Sequence, residues 1–309
     1  MTNKEQQKYF INTVTPGFRI FAWLLILFFG IGLGQMASVG VIMGLGYDIQ
    51  SLTTPDFAPD KTAVRLMAFA NQLFSFLIPA IFLGFVLFKN KWSAFTGLKT
   101  DPEFPQNKST KPKDLLLAGL IIILSWPLTQ FLYLVNMEIP MPETLINMEN
   151  STNGMIEQML NINSLPELLF VLLIMAVTPA IGEELMFRGL FQRILRYNKV
   201  NMHLAVILSA LVFSTIHMQF QGFLPRFFLG LILGYLLAFG GNLWIAIFAH
   251  FIFNGTQVVV TYFAKSQMDL SAMPQWSDFN FILFAVGTVL LGLVTYYFWN
   301  QNQLEPQDN

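Results

Sequence analysis

Apolar runs of about 18 residues or more recur along this chain, and they constrain its fold more than any other feature. In a lipid bilayer every backbone polar group needs an internal partner, so a run of that length is typical of a membrane-spanning α-helix. We therefore expect an all-α polytopic membrane protein, with about eight transmembrane helices around an intramembrane cavity, in a single domain over residues 1–309. The predicted helices lie near residues 20–45, 64–88, 115–135, 166–188, 203–219, 224–240, 243–263 and 279–299.

The composition agrees with this fold class and excludes several functions. The chain is 54% hydrophobic and 11% charged, whereas soluble globular domains carry about 25% charged residues. The alternating pattern of an outer-membrane barrel is not seen. Cysteine is absent, which removes disulfides, thiolate catalysis and cysteine-ligated metals. The net charge of −1, without a basic stripe, argues against a nucleic-acid partner.

Positive charge is distributed unevenly between the two sides of this predicted topology. With eight spans and the amino terminus inside, 13 of the 17 Lys and Arg residues fall in inner segments. The positive-inside rule then predicts that both termini are cytoplasmic, in a cell inner or plasma membrane. The inner cations are Lys4, Lys8, Arg19, Lys89, Lys91, Lys99, Lys108, Lys111, Lys113, Arg188, Arg193, Arg196 and Lys199. The outer cations are Lys61, Arg65, Arg226 and Lys265, and the outer acids are Asp48, Asp56, Asp60, Glu138, Glu143, Glu149 and Glu157.

Local features add detail to the predicted helices. Pro127, Pro179 and the glycine-rich stretch 230–241 are expected to kink helices or to let them pack closely. Arg193, Arg196 and Lys199 follow the fourth predicted helix, and we expect them to anchor it at the inner membrane surface.

Two adjacent carboxylates interrupt one of the most apolar stretches of the chain. Segment 168–182 contains no charged residue, and Glu183 and Glu184 follow it directly. On a helix, Glu184 and Arg188 are four residues apart and share a face, which favours an ion pair. Glu183 points about 100° away from that face and is free to line a cavity. Ionisable groups in such a setting usually have partners and a function.

Two histidines in later apolar segments are the candidate partners. Phe213 and His217 are four residues apart, as are His250 and Asn254, so each pair shares a helix face. The imidazole and the carboxamide of the second pair can hold a developing oxyanion. With Glu183 as a general base, these residues suit hydrolysis by an activated water without a serine or cysteine nucleophile.

Each of these residues also has a purely structural interpretation. The Glu184–Arg188 pair can simply fix helix packing, and Glu183 can reach water at the inner interface. Each histidine can bond to a backbone carbonyl, and Asn254 can hold two helices together. Phe213 is expected to be a packing ring.

Together, the three spaced motifs resemble those of the CAAX-protease and bacteriocin-processing family of intramembrane glutamic endopeptidases, which includes the Ras-converting CAAX endopeptidase. The motifs are Glu-Glu-x-x-x-Arg at 183–188, Phe-x-x-x-His at 213–217 and His-x-x-x-Asn at 250–254. They occur in the order typical of that family, each on an apolar helix within residues 166–263.

The resemblance implies a role for each motif residue. Glu183 would activate the attacking water with help from His217, and His250 and Asn254 would stabilise the oxyanion. Glu184 and Arg188 would support the site together with Phe213. The resemblance implies no cofactor or metal, and no His-Glu-x-x-His motif is present. Glu183, His217 and His250 are nevertheless residue types that bind zinc, so that alternative stays open.

The expected function is therefore an intramembrane endopeptidase, and the alternatives belong to other classes. One is a non-catalytic membrane partner of the same fold, such as an immunity or scaffold protein. The other is a proton-coupled transporter, which the absence of internal repeats argues against. The expected partners are the lipid bilayer and a peptide or protein substrate, either a prenylated C-terminal tail or an unprenylated leader or membrane peptide.

One geometric conflict arises from the predicted helix ends. At 1.5 Å per residue, Glu183 and His250 should lie within about 10 Å of the inner ends of their helices. His217 should lie roughly 20 Å from the inner end of its own helix. On these bounds the three residues meet only if the helices are tilted or shifted.

Overall fold

A computed structural model describes residues 10–48, 59–264 and 275–303, and every regular element in these ranges is a helix. Lys4, Lys8, Asp56 and Lys265, four residues of the predicted charge distribution, lie outside the described ranges. The helices are α1 Phe10–Thr13, α2 Pro16–Gly44, α3 Lys61–Phe95, α4 Pro112–Met137, α5 Glu143–Leu160, α6 Leu165–Tyr197, α7 Met202–Thr215, α8 Phe223–Gly240, α9 Leu243–Ala264 and α10 Phe281–Gln301.

Seven helices in the described part of the chain are long and apolar enough to cross a membrane. They correspond to seven of the eight predicted spans. The fifth predicted span, α7, has only 14 residues, a length of about 21 Å against a hydrocarbon core of about 30 Å. The polar connection between the third and fourth spans forms a helix of its own, α5.

The corrected helix ends remove the conflict in depth. α6 continues to Tyr197, beyond the predicted end at residue 188, so Glu183 lies about 21 Å from its inner end. His217 lies about 22 Å beyond the start of α7, by the same rise per residue. The start of α9 lies deeper in the bundle, because the side chain of Leu243 packs against Gly189 of α6. His250, about 10 Å further along α9, therefore reaches the level of Glu183.

Arg193 explains why α6 is longer than predicted. The residue is only 8% exposed, so its charge faces protein, which the sequence did not predict. Its Nη1 donates to the backbone oxygen of Phe95 at 2.9 Å and to Asn107 Oδ1 at 2.7 Å. The charge is satisfied by the last residue of α3 and by the segment that follows it, so α6 continues through Arg193.

Close helix packing surrounds the middle of α6. A Cβ atom on Gly230 of α8 would lie 2.9 Å from Cβ of Ala210 on α7, which is closer than side chains normally approach. On the other side, Trp23 of α2 donates to the backbone oxygen of Met186 at 2.9 Å and stacks on Phe191. The expectation that glycines of the 230–241 stretch permit tight packing is confirmed at Gly230.

Three π-helical segments interrupt the helices around the candidate site. They span Leu73–Leu77 in α3, and Leu173–Val177 and Leu185–Gln192 in α6. The first two directly precede the Ile78-Pro79 and Thr178-Pro179 pairs, where proline removes a helical N–H donor. Such segments are frequent at functional sites, because they redirect side chains and free backbone carbonyls.

Candidate active site

Glu183 is the central carboxylate of the candidate site. It lies on α6, just before the third π-helical segment, and is 3% exposed. Its Oε1 accepts a hydrogen bond from Gln72 Nε2 at 3.1 Å. Its Oε2 lies 3.9 Å from Nε2 of His217 and 3.9 Å from Nε2 of His250. Both distances exceed a hydrogen bond, so Oε2 faces two imidazoles without contacting either directly.

Glu184 belongs to a separate, fully buried network. Its Oε1 accepts hydrogen bonds from Arg188 Nη1 at 2.7 Å and from His250 Nδ1 at 2.9 Å. The ion pair expected from the four-residue spacing is therefore present. The Arg188 guanidinium also donates to the backbone oxygen of Gly230 at 3.2 Å and lies over the ring of Phe213, 4.3 Å from its centroid. This network joins α6, α8 and α9 and holds the ring of His250.

His217 lies in the turn that follows α7, rather than within the helix as predicted. The helix ends at Thr215, and His217 Nδ1 lies 2.7 Å from the backbone oxygen of Phe213. A carbonyl oxygen only accepts, so Nδ1 must carry the proton. In the neutral ring the lone pair is then on Nε2, the nitrogen that faces Glu183. The rings of Phe213 and His217 are in contact, with centroids 5.0 Å apart.

Polar contacts from neighbouring helices hold the turn that carries His217. Arg226 of α8 donates to the backbone oxygen and the side-chain oxygen of Gln219, at 3.1 and 2.9 Å. Glu149 of α5 accepts from the backbone N–H of Gln221 at 2.9 Å. The sequence placed Arg226 and Glu149 only among outer charges. Their contribution to the site depends on tertiary contacts that the sequence does not reveal.

Asn254 has a backbone partner that the sequence did not predict. It lies one turn after His250 on α9, and its Nδ2 donates to the backbone oxygen of Met175 at 3.1 Å. Met175 is four residues before Pro179, which has no N–H to donate to it. Asn254 therefore supplies a hydrogen bond to a carbonyl that lacks its usual helical donor. One N–H of the amide is used in this way, and the other is available to a ligand.

Gln72 is the site residue that sequence reasoning missed. It belongs to the second span, 111 positions before Glu183 in sequence, yet its amide bonds directly to the Glu183 carboxylate. The available signal was the Asn71–Gln72 pair, which interrupts an otherwise apolar run. Polar side chains at such positions often mark contacts between membrane helices.

An apolar groove of about 480 Å³ lies between α4, α6 and α9, lined by neighbours in sequence of the motif residues and not by the motif residues themselves. Ala180 and Ile181 of its wall precede Glu183 by one turn or less, and Ile247 and Phe251 flank His250. Apolar grooves with few polar groups are typical binding places for apolar ligands. The lining residues are Thr110, Leu115, Val177, Ala180, Ile181, Trp244, Ile247, Phe248 and Phe251.

The donor set gives limited support to a metal site. Within the described ranges, no group of three or more His, Asp or Glu residues is arranged to hold a metal ion. His250 Nδ1 and His217 Nδ1 are both directed at protein oxygens, which leaves Nε2 of each ring for another partner, an arrangement that metal-binding histidines also have.

Comparison with known proteins finds a family model that matches part of the chain. Residues 165–256 match the family model described as Type II CAAX prenyl endopeptidase Rce1-like. The matched segment runs from the first residue of α6 into α9 and contains all three motifs. The resemblance to the CAAX-protease family is confirmed. The matched family is one of endopeptidases, and the seven long apolar helices of the described ranges make this chain a multi-pass membrane protein. No curated protein and no solved structure matches the chain.

Proposed function

We propose that this protein is an intramembrane endopeptidase that hydrolyses a peptide bond with water activated by Glu183. The observation that carries the proposal is the position of Glu183 Oε2, 3.9 Å from Nε2 of both His217 and His250. A water molecule about 2.8 Å from each atom can bridge such a gap. A buried carboxylate beside a water held by two imidazoles is suited to remove a proton from that water.

In the proposed reaction, each group has one task. Glu183 Oε2 takes a proton from the water, while the lone pair of His217 Nε2 accepts a hydrogen bond from the second water hydrogen. The water oxygen then attacks the peptide carbonyl carbon, and the carbonyl oxygen becomes an oxyanion. The proton on Glu183 passes to the peptide nitrogen, the C–N bond breaks, and a carboxylic acid and an amine are released.

The oxyanion would be stabilised from α9. His250 Nδ1 is held by Glu184, so Nε2 can donate when the ring carries both protons. The Glu184 carboxylate stabilises that positively charged ring. The free N–H of Asn254 would be the second donor. Preorganised donors of this kind act strongly in a site that excludes water.

The substrate is an apolar or membrane-associated peptide in this proposal. The groove between α4, α6 and α9 supports it, because its lining is almost entirely apolar and includes Ile181 and Phe251, close neighbours in sequence of Glu183 and His250. A prenylated C-terminal tail and an unprenylated leader or membrane peptide both have an apolar part that suits the groove. We place both termini in the cytoplasm, as the excess of inner positive charge supports.

The test is cleavage of a peptide panel by the purified protein in detergent, read by mass spectrometry. Prenylated and plain peptides are compared, with and without a chelator. We expect Glu183→Gln and His217→Asn each to lower kcat/KM by about 10²- to 10⁴-fold. Asparagine at 217 can still donate to the Phe213 carbonyl, so the turn is kept.

Glu143→Gln is the matched control, because it neutralises an exposed carboxylate at the start of α5. Chelator-resistant cleavage that is lost only in the two site variants would support the proposal. Cleavage abolished by the chelator would favour a metalloprotease. Equal cleavage by Glu183→Gln and the unmodified protein would contradict the role of Glu183. If no peptide is cleaved, a non-catalytic partner of the same fold becomes the better explanation.

A further inference from the structure

Gln72 is the only described side chain outside the three motifs for which the structure gives a hydrogen bond to the Glu183 carboxylate. It lies at the end of the first α-helical part of α3, directly before the π-helical segment Leu73–Leu77. α3 and α6 approach closely here, since a Cβ atom on Gly182 would lie 3.2 Å from the backbone nitrogen of Leu77. This approach brings the amide of Gln72 within reach of Glu183.

The orientation of the Gln72 amide follows from its partner. An ionised carboxylate only accepts hydrogen bonds, so Nε2 must face Glu183 and Oε1 must point away. That Oε1 atom is buried and has no donor among the described residues. A buried acceptor without a donor lowers stability, and an apolar side chain of similar length would avoid this cost. Packing alone therefore does not explain a glutamine at this position.

The hydrogen bond has a direct consequence for the carboxylate. The terminal torsion of a glutamate side chain is broad, so a carboxylate without a fixed partner can rotate. Gln72 holds Oε1, and this leaves Oε2 directed at the imidazoles of His217 and His250. The oxygen that would act as the base is thus selected by a residue on a different helix.

We propose that Gln72 is a positioning residue that fixes the Glu183 carboxylate so that Oε2 faces the water to be activated. The inference rests on the proposed function, and it adds α3 to the helices that build the site. It predicts an effect on turnover and not on substrate binding, because Gln72 acts through Glu183.

Two substitutions test this role. Gln72→Met keeps the length of the side chain and removes the hydrogen bond, and we expect kcat to fall about 10- to 100-fold with little change in KM. Gln72→Glu keeps the shape, and its carboxyl can donate only while it carries a proton. We therefore expect Gln72→Glu to be poorly active at neutral pH and to regain activity relative to Gln72→Met as the pH falls.

The comparison between the two variants isolates position 72. The charged and titratable groups around Glu183 are common to both proteins, so the difference between their pH profiles reports only the introduced carboxyl. These groups are Glu184, Arg188, His217, Arg226 and His250. Asn71→Ala is the matched control, since the Asn71 side chain bonds to Ser75 and not to Glu183.

Each outcome decides the inference. A lower kcat in Gln72→Met, with recovery of Gln72→Glu at acid pH, supports it. The role of Gln72 is overturned if Glu183-dependent cleavage persists and Gln72→Met leaves kcat unchanged or alters only KM. Identical pH profiles of the two variants would also overturn it. If the unmodified protein cleaves nothing, or if Glu183→Gln cleaves equally well, the proposed function fails and the role of Gln72 fails with it. Thermal unfolding of each variant identifies any loss that is due to misfolding.

Discussion

Glu183 and Glu184 are neighbours in sequence, but the structure places them in two different environments. Glu184 is fully buried and accepts hydrogen bonds from Arg188 and His250 at 2.7 and 2.9 Å. Glu183 accepts one hydrogen bond on Oε1 at 3.1 Å, and its Oε2 stands 3.9 Å from two imidazole nitrogens. The rotation of about 100° between successive helical residues separates the two sets of partners.

In the proposed function, this difference lets one helix carry both a supporting and a reactive carboxylate. A carboxylate whose charge is matched by an arginine inside the protein is held in place and has little freedom to exchange a proton. A carboxylate oxygen that lies 3.9 Å from two imidazole nitrogens leaves room for a bridging water, with which it can exchange a proton. His250 connects the two environments, because its Nδ1 bonds to Glu184 and its Nε2 faces Glu183.

The largest expected effect on stability is that of Glu184→Gln, and Glu183→Gln is the comparison. Glu184→Gln leaves the buried charge of Arg188 without its partner, so we expect a loss of about 3–5 kcal/mol in the free energy of unfolding. Glu183→Gln removes a charge that has no cationic partner within 3 Å, so we expect a change of less than about 1 kcal/mol. Thermal and denaturant unfolding in detergent, followed by tryptophan fluorescence, measures both.

A double variant sharpens this comparison. Replacing both Glu184 and Arg188 by methionine removes the two charges together, and most of the lost stability should return, as it does for other buried ion pairs. Equal destabilisation by Glu183→Gln and Glu184→Gln would contradict the division into a supporting and a reactive carboxylate.

The sequence predicted the contacts that depend on helical spacing. The Glu184–Arg188 ion pair follows from two residues four positions apart on one helix. Seven of the eight apolar runs reach a membrane-spanning length in the structure. Such local relationships need only the pitch of the helix, and they hold whatever the rest of the fold does.

Contacts between helices were harder to predict from the sequence. The sequence grouped both histidines with Glu183 and did not predict the additional bond from His250 Nδ1 to Glu184. Arg193 resembled a residue at the membrane surface, but protein oxygens satisfy its charge. α7 ends before His217, and the following turn contains Met218 at a φ of 54°. A positive φ is usually adopted by glycine, so nothing in the sequence indicated this turn. Each of these features depends on neighbours that are distant in sequence.

An intermediate effect is expected at Asn254, which has a structural and a proposed chemical task. Asn254→Leu removes the donor to the Met175 carbonyl, so we expect a loss of about 1–3 kcal/mol in unfolding free energy. If its other N–H stabilises the oxyanion, kcat should also fall, by about 10²-fold or more.

A second substitution separates the two tasks. Pro179→Ala restores a backbone N–H four residues after Met175, so the Asn254→Leu/Pro179→Ala double variant should regain stability without regaining activity. Unfolding curves and peptide cleavage are measured on the same preparations. Recovery of both properties would assign Asn254 to support alone, alongside Glu184.

The smallest effect is expected one turn beyond Arg188, where an uncharged residue repeats its geometry. Gln192 donates to the backbone oxygen of Gly234 at 3.0 Å, as Arg188 donates to that of Gly230. Gln192→Met removes one neutral hydrogen bond, so we expect a loss of about 0.5–1.5 kcal/mol in unfolding free energy and unchanged peptide cleavage. Measuring the unfolding free energy of Gln192→Met together with that of Glu184→Gln compares a neutral and a charged contact on one face of α6. A loss as large as that of Glu184→Gln would mean that the α6–α8 contact, and not the buried charge, makes this face a support.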